Sequence, residues 1–129
     1  MSRTIISTDK APAPVGTFNQ GVVAESGKLL FTAGQIAIDP VKNKVIDGDI
    51  REQTRLCLEN IKQVLMAGGS NMENLVKLTV FMKDLSNFST VNEVFSEFFP
   101  QDPPARSAIE ISGLPLGVDI EIEGIAVVP

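Results

Sequence analysis

Residues 50–83 read IREQTRLCLENIKQVLMAGGSNMENLVKLTVFMK, and two periodicities meet in them. Apolar residues recur at Ile50, Cys57, Leu58, Ile61, Val64 and Leu65, with Arg51, Glu52, Arg55, Glu59 and Lys62 on the opposite side. That spacing predicts an amphipathic helix. Asp47 and Asp49 are candidate N-caps and Gly68-Gly69 ends the helix. From Leu75 to Lys83 the period changes to two. Val76, Leu78, Val80 and Met82 share one face of a strand, while Lys77, Thr79, Phe81 and Lys83 share the other.

Downstream, Asp84 or Ser86 is placed to cap a second helix running through Phe99, with Phe88, Val91, Val94, Phe95 and Phe98 at helical spacing as core packing. Pro100, Pro103 and Pro104 end it. Strands are predicted over 105–111 and 118–128, separated by Gly113-Leu114-Pro115-Leu116-Gly117. Upstream, Ala11-Pro12-Ala13-Pro14 runs extended. A strand over 18–25, the turn Ser26-Gly27 and a strand over 28–33 predict a hairpin. Gly34-Gln35 interrupts the pattern, Ile36-Ala37-Ile38 continues it, and a polar loop follows from Asp39 to Lys44. The order β-β-(short β)-α-β-α-β-β predicts an α/β (α+β) domain with one mixed sheet and both helices on one face. On the other face Glu121 and Glu123 mix with Phe81 and Ile125, so it meets either water or another subunit.

The chain has 129 residues, enough for one domain with its own core. Its net charge is −5, a poor match for a phosphate-backbone binder. It contains no His, which excludes Ser-His-Asp and Cys-His catalysis and His-ligated zinc within one chain. The single Cys57 lies on the first helix's apolar stripe, reads as core, and excludes an intramolecular disulfide. A reducing, cytoplasmic location is expected, with no signal segment and no membrane span. Acid–base work falls to Asp, Glu, Lys, Cys or water.

Two features stand out chemically. Arg106 opens a strand between the small residues Ala105 and Ser107, and a guanidinium fork matches a carboxylate bidentately. The plainer alternative is an ion pair, with Glu110 as a partner. Glu121 and Glu123, two apart, share a sheet face. Paired acids suit proton transfer, but the same spacing fits a solvated strand face. No ligand cluster accompanies them, so a metal site is not expected.

Pro104-Ala105-Arg106-Ser107, Glu110, Leu114-Pro115 and Ile120-Glu121-Ile122-Glu123-Gly124-Ile125-Ala126 together resemble the RidA/YjgF family, also known as endoribonuclease L-PSP. Thr32-Ala33-Gly34-Gln35-Ile36 and Val91-Asn92-Glu93-Val94-Phe95 fit the same pattern, and the resemblance extends over nearly the whole chain. It implies a chorismate-mutase-like fold, a homotrimer with clefts between subunits, and hydrolysis of reactive 2-enamine and 2-imine acids to 2-oxo acids and ammonia without a cofactor. It implies that Arg106 binds the substrate carboxylate and Glu121 serves the attacking water. Ser107, Ala33, Gly34, Asn92 and the position of Phe18 would shape the cleft. Many active members carry Tyr where this chain has Phe18, and often Cys where it has Ser107. Phe18 therefore keeps open a second reading, a non-catalytic binder of small carboxylates. The alternative family name raises a third, an endoribonuclease, which the charge opposes.

Overall fold

The computed structural model describes residues 2–129. Helix α1 (Ile50–Ala67) starts at the Asp49 cap, whose carboxylate accepts the Glu52 backbone N–H at 3.0 Å. That satisfies one of the first-turn donors left without an intrahelical acceptor. The helix stops at Gly68, whose N–H donates to the Val64 and Leu65 carbonyls. Cys57, Leu58, Ile61 and Leu65 are buried as the stripe predicts, while Val64 lies at its exposed margin. Gln53 is buried too. Its amide donates to the Gly48 carbonyl (3.0 Å) and to Asp119 Oδ2 (2.9 Å), and accepts the Asp119 N–H (2.9 Å).

The second helix begins later than its acidic cap suggests. Asp84 accepts the Ser86 N–H at 2.9 Å and caps a single 3₁₀ turn, Leu85–Asn87. Helix α2 (Phe88–Phe98) follows, burying Val91, Val94 and Phe95. Arg51 to Glu93 (2.7 Å) and Arg55 to Glu97 (2.9 Å) link successive turns of the two helices. Both pairs are solvent-exposed, so each is worth only about 0.2–1 kcal/mol.

Strands β3 (Lys28–Phe31), β8 (Ile120–Val128), β6 (Leu75–Met82) and β7 (Ala105–Glu110) form the main sheet in that spatial order. β6 and β7 are parallel, with α2 in the connection between them, and the other pairs are antiparallel. Leu78, Val80 and Met82 meet Ile120, Ile122 and Ala126 on the face that the helices cover. A register shift between Leu75 and Lys77 corrects one expectation: it buries Leu75 and leaves Val76 half-exposed. A bulge of this kind breaks strict alternation locally.

The expected 18–33 hairpin does not form. Strand β2 (Gly21–Ala24) pairs antiparallel with β1 (Arg3–Ile6), a strand the sequence reading did not identify, while β3 pairs with the outer edge of β8. The nine-residue β8 offers hydrogen-bonding groups along both edges, and β3 satisfies the second. Ser26-Gly27 therefore carries the chain from one sheet to another. Two-residue strands β4 (Ile38–Asp39) and β5 (Lys44–Val45) flank the polar loop, where Asp39 accepts the Val41 N–H at 2.8 Å.

The helix-free face carries Lys77, Thr79, Phe81, Ser107, Ile109, Glu121, Glu123 and Ile125, beside Leu29 and Phe31 of β3. Phe31 is 68% exposed. Among the described residues, no helix is long and apolar enough to cross a membrane.

Removing the Asp49 cap with Asp49→Ala is expected to cost about 1 kcal/mol, measured by urea unfolding. The Cys57 thiol is pushed up to about 12 by burial, with the Glu121 charge adding to it. It is expected to resist a thiol reagent in the native protein and to react on unfolding; rapid native labelling would contradict the burial.

Candidate active site

Arg106 follows Pro103-Pro104 and is the second residue of β7, level with Leu78 on β6. That register turns its side chain to the helix-covered face, where it is 8% exposed. Its guanidinium carbon lies 4.9 Å from the Phe18 ring centre and 5.1 Å from those of Phe88 and Phe95. Nη1 donates to Asn92 Oδ1 at 2.7 Å. No carboxylate of the described residues pairs with it. Glu110, the partner considered from sequence, instead accepts the Leu85 N–H at 3.0 Å. Burial alone pushes the Arg106 pKa down to about 10. The side chain is therefore buried between sheet and helix, and the ion pair with Glu110 does not form.

The loop before β2 forms one wall. Asn19 donates its N–H to the Pro104 carbonyl (3.0 Å) and its side-chain amide to the Pro103 carbonyl (2.6 Å), so this loop lies beside the start of β7. The Thr17 N–H donates to Asn92 Oδ1 at 3.2 Å, the oxygen that also accepts from Arg106. Gly16 sits so close that a β-carbon there would lie 2.8 Å from Asn92 Oδ1 and 2.9 Å from Arg106 Nη2. A side chain at this position would have to displace the Asn92 amide and the Arg106 guanidinium.

The second cluster lies across the sheet. Thr32 pairs with Gly124 through its N–H (2.9 Å), and Gln35 pairs with Ile122 through two backbone bonds (2.7 and 3.0 Å). Ala33 and Gly34 thus stand opposite the single residue Glu123, as in a bulge. The Glu121 carboxylate occupies the space that a Gly34 side chain would need. Ala33 is exposed next to it. Ser107 lies on this same helix-free face and accepts a hydrogen bond from Lys77 Nζ at 2.9 Å. Glu123 is exposed there as well.

The residues singled out from sequence therefore fall into two groups. Arg106, Asn92 and Phe18 converge on the helix side. Glu121, Gly34, Ala33 and Ser107 share the other face. Glu121 pairs with Phe81 and Arg106 with Leu78, positions of opposite orientation on β6. Strand β6 lies between β7 and β8, which adds about 10 Å of lateral separation. Phe88 and Phe95, read from sequence as core packing, also cover the guanidinium. Thr17 and Gly16 escaped notice because nothing in a linear pattern marks contacts between a loop and a distant helix.

The profile of the endoribonuclease L-PSP family matches residues 8–128. A RutC family protein of Pyrococcus abyssi is 46% identical over 98% of both chains. The 2-iminobutanoate/2-iminopropanoate deaminase of Rattus norvegicus is 39% identical over 97% of this chain and 90% of its own. Among solved structures, the YjgF gene product of E. coli is 41% identical with a TM-score of 0.74, covering 96% of this chain and 98% of that one. E. coli TdcF, solved with bound serine, is 39% identical with the same TM-score and the same coverage. The mixed sheet backed by two helices is the YjgF-like fold, and the chain belongs to the endoribonuclease L-PSP (RidA/YjgF) family.

Proposed function

We propose that the protein hydrolyses small 2-imino acids and their enamine tautomers to 2-oxo acids and ammonia. The observation that carries this reading is a buried guanidinium with no anionic partner among the described residues. Burying an unpaired charge is costly, and an incoming carboxylate would relieve that cost. One Nη1 N–H is committed to Asn92, so the second Nη1 N–H and those of Nη2 and Nε are left for a ligand. The deaminase name of relatives 37–40% identical supports the same substrate class. So does the serine in the TdcF structure, which carries a carboxylate of its own.

In this mechanism, Arg106 holds the carboxylate and water adds to the imine carbon. Glu121 takes the proton from that water and returns it to nitrogen. The carbinolamine hydroxyl then gives up its proton, which Glu121 passes to the amino nitrogen; the C–N bond breaks, ammonia leaves, and the oxygen becomes the carbonyl of the 2-oxo acid. The imine is already electrophilic, so orientation and charge placement supply the catalysis and no cofactor is required.

Arg106 and Glu121 leave opposite faces of one sheet, farther apart than a four-carbon substrate can reach. We infer a homotrimer whose clefts bring Arg106 of one copy to Glu121 of the next. The apolar residues Leu29, Phe31 and Ile109, exposed on the helix-free face, support burial against another subunit.

Phe18 favours a second reading, a small-carboxylate binder without turnover. Its ring covers the guanidinium and offers no hydroxyl to water or substrate.

Freshly generated 2-aminocrotonate should yield 2-oxobutanoate faster with the protein than without it. Arg106→Ala should lose at least about 100-fold in kcat/KM, and Glu121→Gln about 100-fold or more in kcat. Acceleration that survives both substitutions would refute the site. Binding of 2-oxobutanoate without any acceleration would favour the binder, and Phe18→Tyr would then test whether a hydroxyl restores turnover. RNA cleavage that copurifies with the protein and disappears in Arg106→Ala would favour the ribonuclease instead.

Gly34→Ala must displace the Glu121 carboxylate. It is expected to lower kcat nearly as far as Glu121→Gln while leaving 2-oxobutanoate affinity within about twofold, the mark of an interaction lost chiefly in the transition state. Wild-type kcat in Gly34→Ala would contradict the placement of Glu121.

A further inference from the structure

The hydroxyls of Thr17 and Ser96 have no part in the site as described so far, yet both are tied to it. The Thr17 hydroxyl donates to the Asn92 backbone carbonyl at 3.2 Å and lies 2.8 Å from the Ser96 hydroxyl. The Ser96 hydroxyl also reaches the Asn92 carbonyl, at 3.0 Å. Both hydroxyls thus converge on one carbonyl of α2, one turn from Ser96. The backbone N–H of Thr17 meanwhile donates to Asn92 Oδ1, the acceptor of Arg106 Nη1.

These contacts form a chain: Ser96 to Thr17, Thr17 to the Asn92 amide, and the Asn92 amide to Arg106. An asparagine amide turns readily about its last bond unless its neighbours fix it. Here one oxygen is held by two donors from different parts of the fold. One is Arg106 itself. The other is an N–H whose position depends on how firmly residue 17 is held to α2. The next residue, Phe18, carries one of the three rings over the guanidinium. Loosening residue 17 would therefore release the amide's second donor and shift that ring.

We propose that Thr17 and Ser96 are positioning residues that set the orientation of the Arg106 guanidinium for a substrate carboxylate, acting through Asn92. The inference rests on Arg106 being the carboxylate anchor. Neither residue is assigned contact with the reacting atoms. Their influence falls on the part of the substrate that does not change during the reaction, so the effect should appear in affinity and KM with kcat preserved.

The test measures 2-oxobutanoate binding by calorimetry and imine hydrolysis on the same samples. Thr17→Val removes the hydroxyl and keeps the shape and the N–H. It should weaken binding and raise KM by about 3- to 10-fold, the range one hydrogen bond supports, with kcat within about twofold. Ser96→Ala should act in the same direction by about 2- to 5-fold. Because the hydroxyls form one unit, the double variant should lose little more than Thr17→Val alone. Thr17→Ser, which restores the hydroxyl, should recover wild-type affinity.

Thr17→Val and Ser96→Ala binding as wild type, with Arg106→Ala unable to bind, would overturn the positioning role and leave the anchor intact. Arg106→Ala binding as wild type would overturn the anchor and this inference with it. A Thr17→Val protein with a lowered melting temperature and an affinity that Thr17→Ser does not rescue would show a structural role only, and also overturn the inference.

Discussion

A guanidinium kept beneath three phenyl rings with no counter-ion among the described residues is an unfavourable arrangement, and much of the surrounding structure is organised around it. Cation–π attraction and one charge-assisted hydrogen bond return part of the lost hydration. Phe88 and Phe95 come from α2, Phe18 from the loop before β2, and Asn92 from the turn of α2 between the two helical rings. Gly16 is needed because the loop passes within contact of both Nη2 and the Asn92 amide. Several elements are thus held to one another through a single charged group. The resulting low-dielectric surroundings make that charge more effective toward an anion than the same group would be in water.

The sheet then separates the two charged groups to which the proposed function assigns chemistry. Alternation along β7 and β8 sends Arg106 to one face and Glu121 to the other, and β6 stands between their strands. A cation and a carboxylate on one face could form an ion pair and quench each other. On opposite faces they cannot pair within one chain, which under the proposed function leaves both charges for substrate. In the proposed trimer the substrate would join a pair that the fold keeps apart within each chain. The exposed Leu29, Phe31 and Ile109 fit this account, since an apolar, helix-free face is stabilised by contact with another subunit.

Local periodicity made α1, α2, β6 and β8 legible, because each has one face in the core and a repeat that exposes it. Residue type offered Asp47 and Asp49 as caps, of which the structure uses Asp49, and alternation placed Glu121 and Glu123 on one face. It did not show β1, a four-residue strand whose pairing with β2 spans some twenty residues of sequence. It also suggested the wrong partner for β3, because a turn signal reports a reversal of direction and says nothing about which edge is open. Arg106 was legible as an anion-binding candidate, but its burial was not. Its face depends on the register of β7 against β6, and its cover comes from residues 11, 18 and 88 positions away in sequence. Thr17 and Ser96 had no signal at all, since two hydroxyl residues in a polar setting are unremarkable until the loop is seen against the helix.

Phe18 connects these observations to the chemistry. A tyrosine at this place would supply a hydroxyl for the water or the leaving nitrogen, but it would also bring a polar group to the rings around Arg106. Phenylalanine keeps that wall apolar. The guanidinium is then less hydrated, and the difference in its energy between the free and carboxylate-bound states is larger. Under the proposed function, a phenylalanine here favours carboxylate binding and leaves the proton transfers to Glu121 and water. Glu121 is suited to that role because the bulge at Ala33-Gly34 opens space for its carboxylate without a competing side chain. In the proposed reaction a phenylalanine in place of a tyrosine would change how the work is divided between the two faces of the sheet and leave its order, anchoring first and hydration second, unaltered.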